Sequence, residues 1–301
     1  MRTVTVFGSM NMDLVIRAGH MPAAGETVRG GGFMTNPGGK GANQSAACGR
    51  MGASVRMAAC VGEDAFGAEL KGGLESFGVD TRYVRAAEGV SSGIAVIVLA
   101  DSDNRIILDA GANAHLSAGD AERALEDARA GDILMAQLET PTEAVLAAFK
   151  LARQKDMTVI LNPAPASREC LALLPYADLV VPNETELALL SGVSGIDEGA
   201  AELMRLGARQ VIVTLGSKGS LLIDGENRLH VPAFEAAAVD TTAAGDTYLG
   251  TLAACFAEDK DIAYAMRAAS AASAIAVTRK GAQSSIPSRA ETEALLASHG
   301  N

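Results

Sequence analysis

Two segments of this 301-residue chain carry side chains whose type and spacing could do chemistry. One is Val239-Asp240-Thr241-Thr242-Ala243-Ala244-Gly245-Asp246-Thr247. It follows an apolar run, Leu229–Phe234, and opens a helical pattern that continues to about Ala257. Small residues at a helix start leave backbone N–H groups open at the positive end of the helix dipole, which makes an anion site. Asp246, placed in that turn, could accept a proton from a hydroxyl beside the anion. An Asp there could also cap the helix. Capping does not account for Gly-Asp directly after two alanines, or for Asp240 six residues earlier.

The other segment is Asn36-Pro37-Gly38-Gly39-Lys40-Gly41-Ala42-Asn43-Gln44, ahead of small residues at helical spacing from Ala42 to Gly52. Glycines at a helix start allow a ligand close to the backbone, while Lys40 and Asn43 offer polar groups in fixed directions. A helix packed tightly on a sheet would explain the same small residues.

Other chemistries are disfavoured. The first apolar run ends Val6-Phe7-Gly8-Ser9-Met10-Asn11, without G-x-G-x-x-G, so a dinucleotide fold on that turn is not expected. Gly39-Lys40 lacks the P-loop frame, since Met34 and Gly41 stand where Gly and Ser or Thr are required. Cys48, Cys60, Cys170 and Cys255 form no C-x-x-C and read as buried thiols; the four scattered histidines make no zinc pattern. With 25 basic against 36 acidic residues the formal charge is −11, and no basic tract offers nucleic acid or an anionic membrane a surface. No secretory leader or uncharged apolar run of membrane length stands out, so a cytoplasmic protein is expected.

These residues need a scaffold. Apolar residues make up 49% of the chain and charged residues 20%, which excludes a disordered or fibrous chain. At roughly 150 residues per domain, one large domain with a small appendage is the simplest division. Strands are expected at Thr3–Phe7, Arg56–Val61, Ile94–Leu99, Asp132–Leu138, Thr158–Leu161, Asp178–Val181, Gln210–Leu215 and Leu221–Ile223. Helical spacing marks Thr142–Lys155, Glu184–Leu190, Glu198–Leu206 and Ala268–Ala276. Thr140-Pro141-Thr142-Glu143 reads as a cap, a first-turn proline and an N3 glutamate; Ser288-Arg289-Ala290-Glu291 reads as a capping box for a last helix ending near Gly300. Strands apolar throughout, alternating with helices, predict a mostly parallel sheet covered on both faces. Extended Glu26–Asn36, and a hairpin over Ser91–Asp109 turning at Asp101-Ser102-Asp103-Asn104, depart from that rhythm. Neither is followed directly by a helix, and both are expected in a small β lid over a cleft.

Gly39–Gln44 and Asp240–Thr247 closely resemble the two signature regions of the ribokinase-like (PfkB) carbohydrate kinases. Asn11-Met12-Asp13, Gly25-Glu26-Thr27-Val28, Gln137-Leu138-Glu139, Asn183-Glu184-Thr185-Glu186, Thr214-Leu215-Gly216-Ser217-Lys218-Gly219 and Val277-Thr278-Arg279-Lys280-Gly281-Ala282-Gln283 fall in the family's order. The last of these and the GGKGANQ string are similar to the ribokinase branch. The resemblance spans nearly the whole chain, as one α/β kinase domain over 1–301 with the lid drawn from about 11–18, 26–36 and 91–110.

The resemblance implies an ATP-dependent sugar kinase, with D-ribose phosphorylated at its 5-hydroxyl, and 2-deoxyribose, another furanose or a nucleoside as alternatives. A non-catalytic sugar sensor on the same fold is a further alternative, and a nucleotide-dependent oxidoreductase is disfavoured by the missing fingerprint. Asp246 would be the general base, and Ala243, Ala244 and Gly245 the anion hole. The sugar would meet Asn11, Met12, Asp13, Gly39, Lys40, Gly41, Ala42, Asn43, Glu139 and Asp246. ATP would lie against Asn183, Thr214, Leu215, Gly216, Ser217, Lys218, Gly219, Gly245 and Ser270, with Mg²⁺ positioned by Glu186 through water. A K⁺ ion would be held by Asp240, Thr242, Ala276, Arg279, Gly281 and Ser285. A carboxylate with carbonyls at a helix end is a reasonable oxygen cage, although Asp240 could instead simply pair with Arg279. The family implies a homodimer joined through the lids.

Overall fold

The computed structural model describes residues 2–101, 103–225 and 227–299; Ser102, in the expected turn, and Gly300, at the expected end of the last helix, lie outside them. The chain begins with β1 (Thr3–Phe7), β2 (Asn11–Ala18), β3 (Gly30–Gly38), α1 (Lys40–Arg50), β4 (Ser54–Gly62), α2 (Ala65–Ser76) and β5 (Asp80–Ala87). Next come β6 (Gly93–Ala100), β7 (Asp103–Asp109), α3 (Ala118–Ala124), β8 (Ile133–Ala136), α4 (Thr142–Gln154), β9 (Thr158–Leu161) and β10 (Leu179–Val180). It closes with α5 (Glu184–Ser191), α6 (Ile196–Arg205), β11 (Gln210–Thr214), β12 (Ser220–Asp224), β13 (Asn227–Val231), α7 (Ala244–Ala257), α8 (Ile262–Ala276) and α9 (Arg289–Ser298).

Nine of these strands form one sheet in the order β13-β12-β11-β10-β9-β8-β1-β4-β5. From β11 to β5 every pairing is parallel; β12 and β13 add an antiparallel edge. Successive side chains of a strand face opposite ways, and here they split cleanly between two cores. Val4, Val6, Ile133, Met135, Ile160 and Ile212 pack with α1, α2, α7 and α8. Phe7, Leu134, Val159, Leu161, Val211 and Val213 pack with α3, α4, α5 and α6 on the other face. The central strands are apolar throughout because both faces are covered. All four cysteines are free and buried in these layers.

The second sheet has the order β3-β2-β6-β7. Only Gly8-Ser9-Met10 separate β1 of the large sheet from β2 of the small one, so the small sheet is rooted at the large sheet's carboxyl edge. It differs from expectation in one consequential way. The extended segment starts at Gly30 rather than Glu26, runs to Gly38, and leads directly into α1. Gly39 makes that junction, with φ of 89° and no room for a side chain. A Cβ there would lie 2.7 Å from Asn11 N and 2.9 Å from Met10 Cα.

Local starts and stops also differ. Thr140 does not cap α4; Pro141 is its cap residue and bonds nothing with a side chain, because its φ of −56° already sets the chain for the turn at Thr142. The apolar run Leu229–Phe234 is strand only as far as Val231, ahead of Pro232, whose nitrogen has no proton for a ladder. The crossover between β9 and β10 is a 3₁₀ segment, Arg168–Tyr176, not an α-helix, and Pro175 lies inside it. The Ser288 capping box forms as expected, with Glu291 as its reciprocal partner.

Candidate functional site

Ligands of parallel α/β sheets bind at the carboxyl ends of the strands. Ser9 follows β1 there, Gln137 and Glu139 follow β8, Asn162 follows β9, Asn183 follows β10 and Gly216 follows β11. The small sheet adds Asn11 and Asp13 from β2.

Asp246 occupies the first turn of α7 and is 8% exposed. It does not cap the helix: Ala243 is the cap residue, in the left-handed region at φ 57°. That conformation costs a non-glycine residue on the order of 1 kcal/mol. The Ala244 N–H donates to Thr241 O at 3.3 Å, and the next N–H groups, as at any helix start, have no intrahelical partners. Both oxygens of Asp246 accept hydrogen bonds from α1. Asn43 Nδ2 donates to Oδ2 at 2.9 Å and Gln44 Nε2 to Oδ1 at 3.0 Å.

The approach of α1 to α7 is set by small residues. A Cβ on Gly250 would press on Ala47 Cβ and Gln44 O, and Cys48 Sγ donates to Gly250 O at 3.2 Å. The tight-packing reading of the small residues therefore holds together with the polar one. Close packing is what delivers Asn43 and Gln44 to the carboxylate.

Glu139 accepts from Ser9 Oγ at 2.5 Å and from the Lys40 backbone N–H at 3.0 Å, which joins β8, β1 and the start of α1. Burial alone would lower the Lys40 ammonium's hold on its proton. The negative field of Asp246, Glu139 and Glu186 outweighs that and raises it, so Lys40 stays charged among three carboxylates. Asp13 lies against Gly38, where a Cβ would come within 2.7 Å of Oδ2. Burial, with the charge of Glu139 adding to it, pushes the Asp13 carboxyl up to about 7.

Asn11 is buried, and its Oδ1 accepts from Asn113 Nδ2 at 2.7 Å. Asn113 also bonds both backbone groups of Met10. The neighbouring cleft, about 520 Å³, is lined by Asn11, Leu108, Asn113 and Glu139 among others. Met12, Gly41 and Ala42 are buried within the walls, so side-chain contact with a ligand falls to their polar neighbours.

The other sequence-predicted residues fall in two places. Thr214 forms a parallel bridge with Asn183, and Leu215 to Gly219 make a 3₁₀ hairpin turn joining β11 to β12. Ser217 and Lys218 are exposed on that turn, whereas Ser270 is buried among the alanines of α8. Asn183 and Glu186 form a complete capping box on α5. Burial raises the Glu186 carboxyl against the pull of the Asn183 N–H and Lys40.

Elsewhere, Asp240 accepts from the N–H groups of Thr242 at 2.9 Å and Gly281 at 3.0 Å, while Arg279 pairs with Glu291 at 2.5 Å. The simple Asp240–Arg279 pair is thus replaced by a carboxylate clasping two backbone loops. Ala276 ends α8, and its carbonyl accepts from the Arg279 N–H; Ser285 is buried in the turn beyond. Among the described residues no group of three or more His, Cys, Asp or Glu could hold a metal ion, and no helix is long and apolar enough to cross a membrane.

Ser9, Gln44, Asn113, Gln137 and Asn162 escaped the sequence reading as site residues. For Gln44 the signal was present, since it closes the GGKGANQ string. Gln137 opens the Gln137-Leu138-Glu139 string, and Ser9, Asn113 and Asn162 become visible only through the fold.

A family model described as pfkB family carbohydrate kinase matches residues 1–289. A ribokinase of Haemophilus influenzae is 40% identical over 298 residues, covering 97% of both chains. A deoxyribokinase of Salmonella typhi is 39% identical over 292 residues, covering 95% of each. Among solved structures, an Arabidopsis thaliana ribokinase complexed with ribose and ATP superposes with a TM-score of 0.90 at 33% identity over 98% of both chains. This chain therefore belongs to the pfkB family of carbohydrate kinases, phosphotransferases that act on an alcohol group.

Proposed function

We propose that the protein transfers the γ-phosphoryl group of ATP to the 5-hydroxyl of D-ribose. The observation that carries this reading is the seat of Asp246. One carboxylate lies on the first turn of a helix whose small residues leave N–H groups for an anion, clamped by two amides from the GGKGANQ helix. In this role Asp246 takes the hydroxyl proton, worth about 10²–10⁴ in rate. The turn Ala243–Gly245 stabilises charge on the phosphoryl group in flight.

The sugar lies between the two sheets. Asn11, Asp13, Asn43 and Glu139 bridge its hydroxyls, and Lys40 supplies a positive charge among the three carboxylates. ATP lies over Thr214–Gly219 with Asn183 beside it. Glu186, whose carboxylate also accepts from the Asn183 N–H, would orient Mg²⁺ through water, which suits an ion that dehydrates reluctantly. Asp240 would hold K⁺.

The small sheet exposes Phe33, Met34, Ile106, Ile107 and Leu108. A patch of that kind is expected to be covered, and a second copy joined lid to lid would cover it. The formal charge of −11 agrees with a cytoplasmic location.

Deoxyribokinase relatives at 39% identity make 2-deoxyribose the second reading. ADP release measured with ribose, 2-deoxyribose and a ribonucleoside decides between them. Release that is fastest with ribose supports the proposal; ribose binding without ADP release would make the protein a sensor.

A further inference from the structure

The amide that holds Asp246 Oδ1 is itself held. Gln44 Nε2 donates both to Asp246 Oδ1, at 3.0 Å, and to Asn162 Oδ1, at 3.1 Å. Gln44 Oε1 accepts from Gln137 Nε2 at 2.6 Å, and Asn162 Nδ2 donates to Val181 O at 3.1 Å. Gln44 and Gln137 are fully buried, and Asn162 is 6% exposed. Gly8 is part of the same construction, because a Cβ there would overlap Gln137 Oε1.

A glutamine amide can point either end at a neighbour, and only one end suits a carboxylate. The flip of Asn162 is decided by its neighbour: the Val181 carbonyl can only accept, so Asn162 turns its NH₂ to it and its oxygen to Gln44. Gln137 offers its NH₂ to the far side of Gln44, and its own Oε1 is buried without a partner. Gln44 is thereby left with its own NH₂ toward Asp246. Reversing Gln44 would set an amide oxygen against the carboxylate and leave buried donors facing each other, each a costly unmade bond.

We propose that Gln137 and Asn162 are positioning residues for phosphoryl transfer, acting through Gln44 to fix the rotation of the Asp246 carboxylate toward the sugar hydroxyl. This rests on the reading of Asp246 as the base. It extends the site by a relay along the carboxyl ends of β8, β9 and β10, and neither Gln137 nor Asn162 bonds Asp246 directly.

The test is a double-mutant cycle on the full-length enzyme with ribose and ATP, using the near-isosteric Gln137→Met and Gln44→Met. Gln137→Met should lower kcat about tenfold, with the KM for ribose changed less than twofold. In the Gln44→Met background the same change should have little further effect, because the link it works through is gone. Losses that multiply in the double variant, or a Gln137→Met enzyme with kcat within twofold of the parent, would overturn the relay. Should the methionine variants fail to fold, Gln137→Glu keeps the size and tests the flip directly. Its carboxylate draws the Gln44 NH₂ away from Asp246, so kcat must again fall while ribose affinity by calorimetry holds; unchanged kcat rejects the proposal. Asp246→Asn run beside them separates the two readings. If it is inactive while the glutamine variants are normal, only the relay fails; if it is active, the assignment of the base fails.

Discussion

Asp13 of the small sheet and Glu139 of the large one lie close enough across the cleft that the charge on Glu139 helps to hold a proton on Asp13. Burial is the larger cause, and together they carry the Asp13 carboxyl to about 7 from 3.8. Between those values the folded chain binds the proton and the unfolded chain does not. Stability from this group is therefore complete below about pH 4 and is lost as pH rises through 7. Asp13→Asn should be more stable than the parent at pH 8, by up to about 4 kcal/mol, and the gap should close as pH falls toward 4. Thermal unfolding across that range checks the sign; a gap that widens on acidification would refute it.

The same carboxylate is expected to bridge sugar hydroxyls. Asp13→Ala should weaken ribose binding by about 1.5–3 kcal/mol, the scale of a hydrogen bond to a charged group, with ATP affinity little changed. Since the charged form is the better acceptor, ribose binding near pH 7 should release protons. Calorimetry in buffers of different ionisation enthalpy reads both. Equal ribose affinity in mutant and parent would leave Asp13 as a residue of the small sheet only.

Asp246→Asn should lower kcat by at least about 10²-fold. It should also lower Tm, because the new amide turns an NH₂ toward one of its two donors, Asn43 or Gln44, and strands that donor in a buried place. Steady-state kinetics and calorimetric unfolding measure the two effects. Near-parental kcat would remove Asp246 from the base role whatever the Tm.

Gly250→Ala tests whether packing delivers the site. The added methyl meets Ala47 Cβ and the Gln44 carbonyl on α1. Overpacking of that kind costs about 1–3 kcal/mol, and the relief available is to part α1 from α7. That lengthens the bonds from Asn43 and Gln44 to Asp246, so kcat should fall together with Tm. A variant of lowered Tm and full kcat would show that the carboxylate is aligned without this contact.

How much of this was readable beforehand depends on the range of the interaction. Lys40, Asn43 and Asp246 stand in compact strings whose glycines and alanines announce a helix start, so local spacing was enough to single them out. Asn113 reaches Met10 across 103 residues, and Gln137 reaches Gln44 across 93. Asn113 stands in no such string, and Gln137-Leu138-Glu139 does not name Gln44 as a partner; only the strand order brings these pairs together. The same holds for element ends. The Ser288 box formed because its partners are three residues apart, whereas Thr140 lost its capping role to the ring geometry of Pro141. Capping, the alternative role for Asp246, is excluded by the fold, where Ala243 is the cap residue and α1 donates to both Asp246 oxygens.

Monovalent cation dependence is the last expectation. Asp240 accepts from the N–H groups of Thr242 and Gly281, and the N–H groups of Val239 and Asp240 both reach the Val277 carbonyl. The chain entering α7 is thus stitched to the chain leaving α8, directly beside the left-handed Ala243. Burial works against charge on Asp240, but the bonds from Thr242 and Gly281, with Lys280 nearby, pull its carboxyl below the usual range and keep it ionised. Arg279 is engaged by Glu291, so it does not neutralise this charge. An ionised carboxylate flanked by carbonyls at a helix end suits a weakly hydrated ion such as K⁺. Replacing K⁺ by tetramethylammonium at constant ionic strength should cut kcat several-fold, and Asp240→Ala should abolish that response. If activity is indifferent to the cation, Asp240 is a clasp between two loops and nothing more. Asp240→Ala would then lower Tm and leave the cation series flat, as it was in the parent.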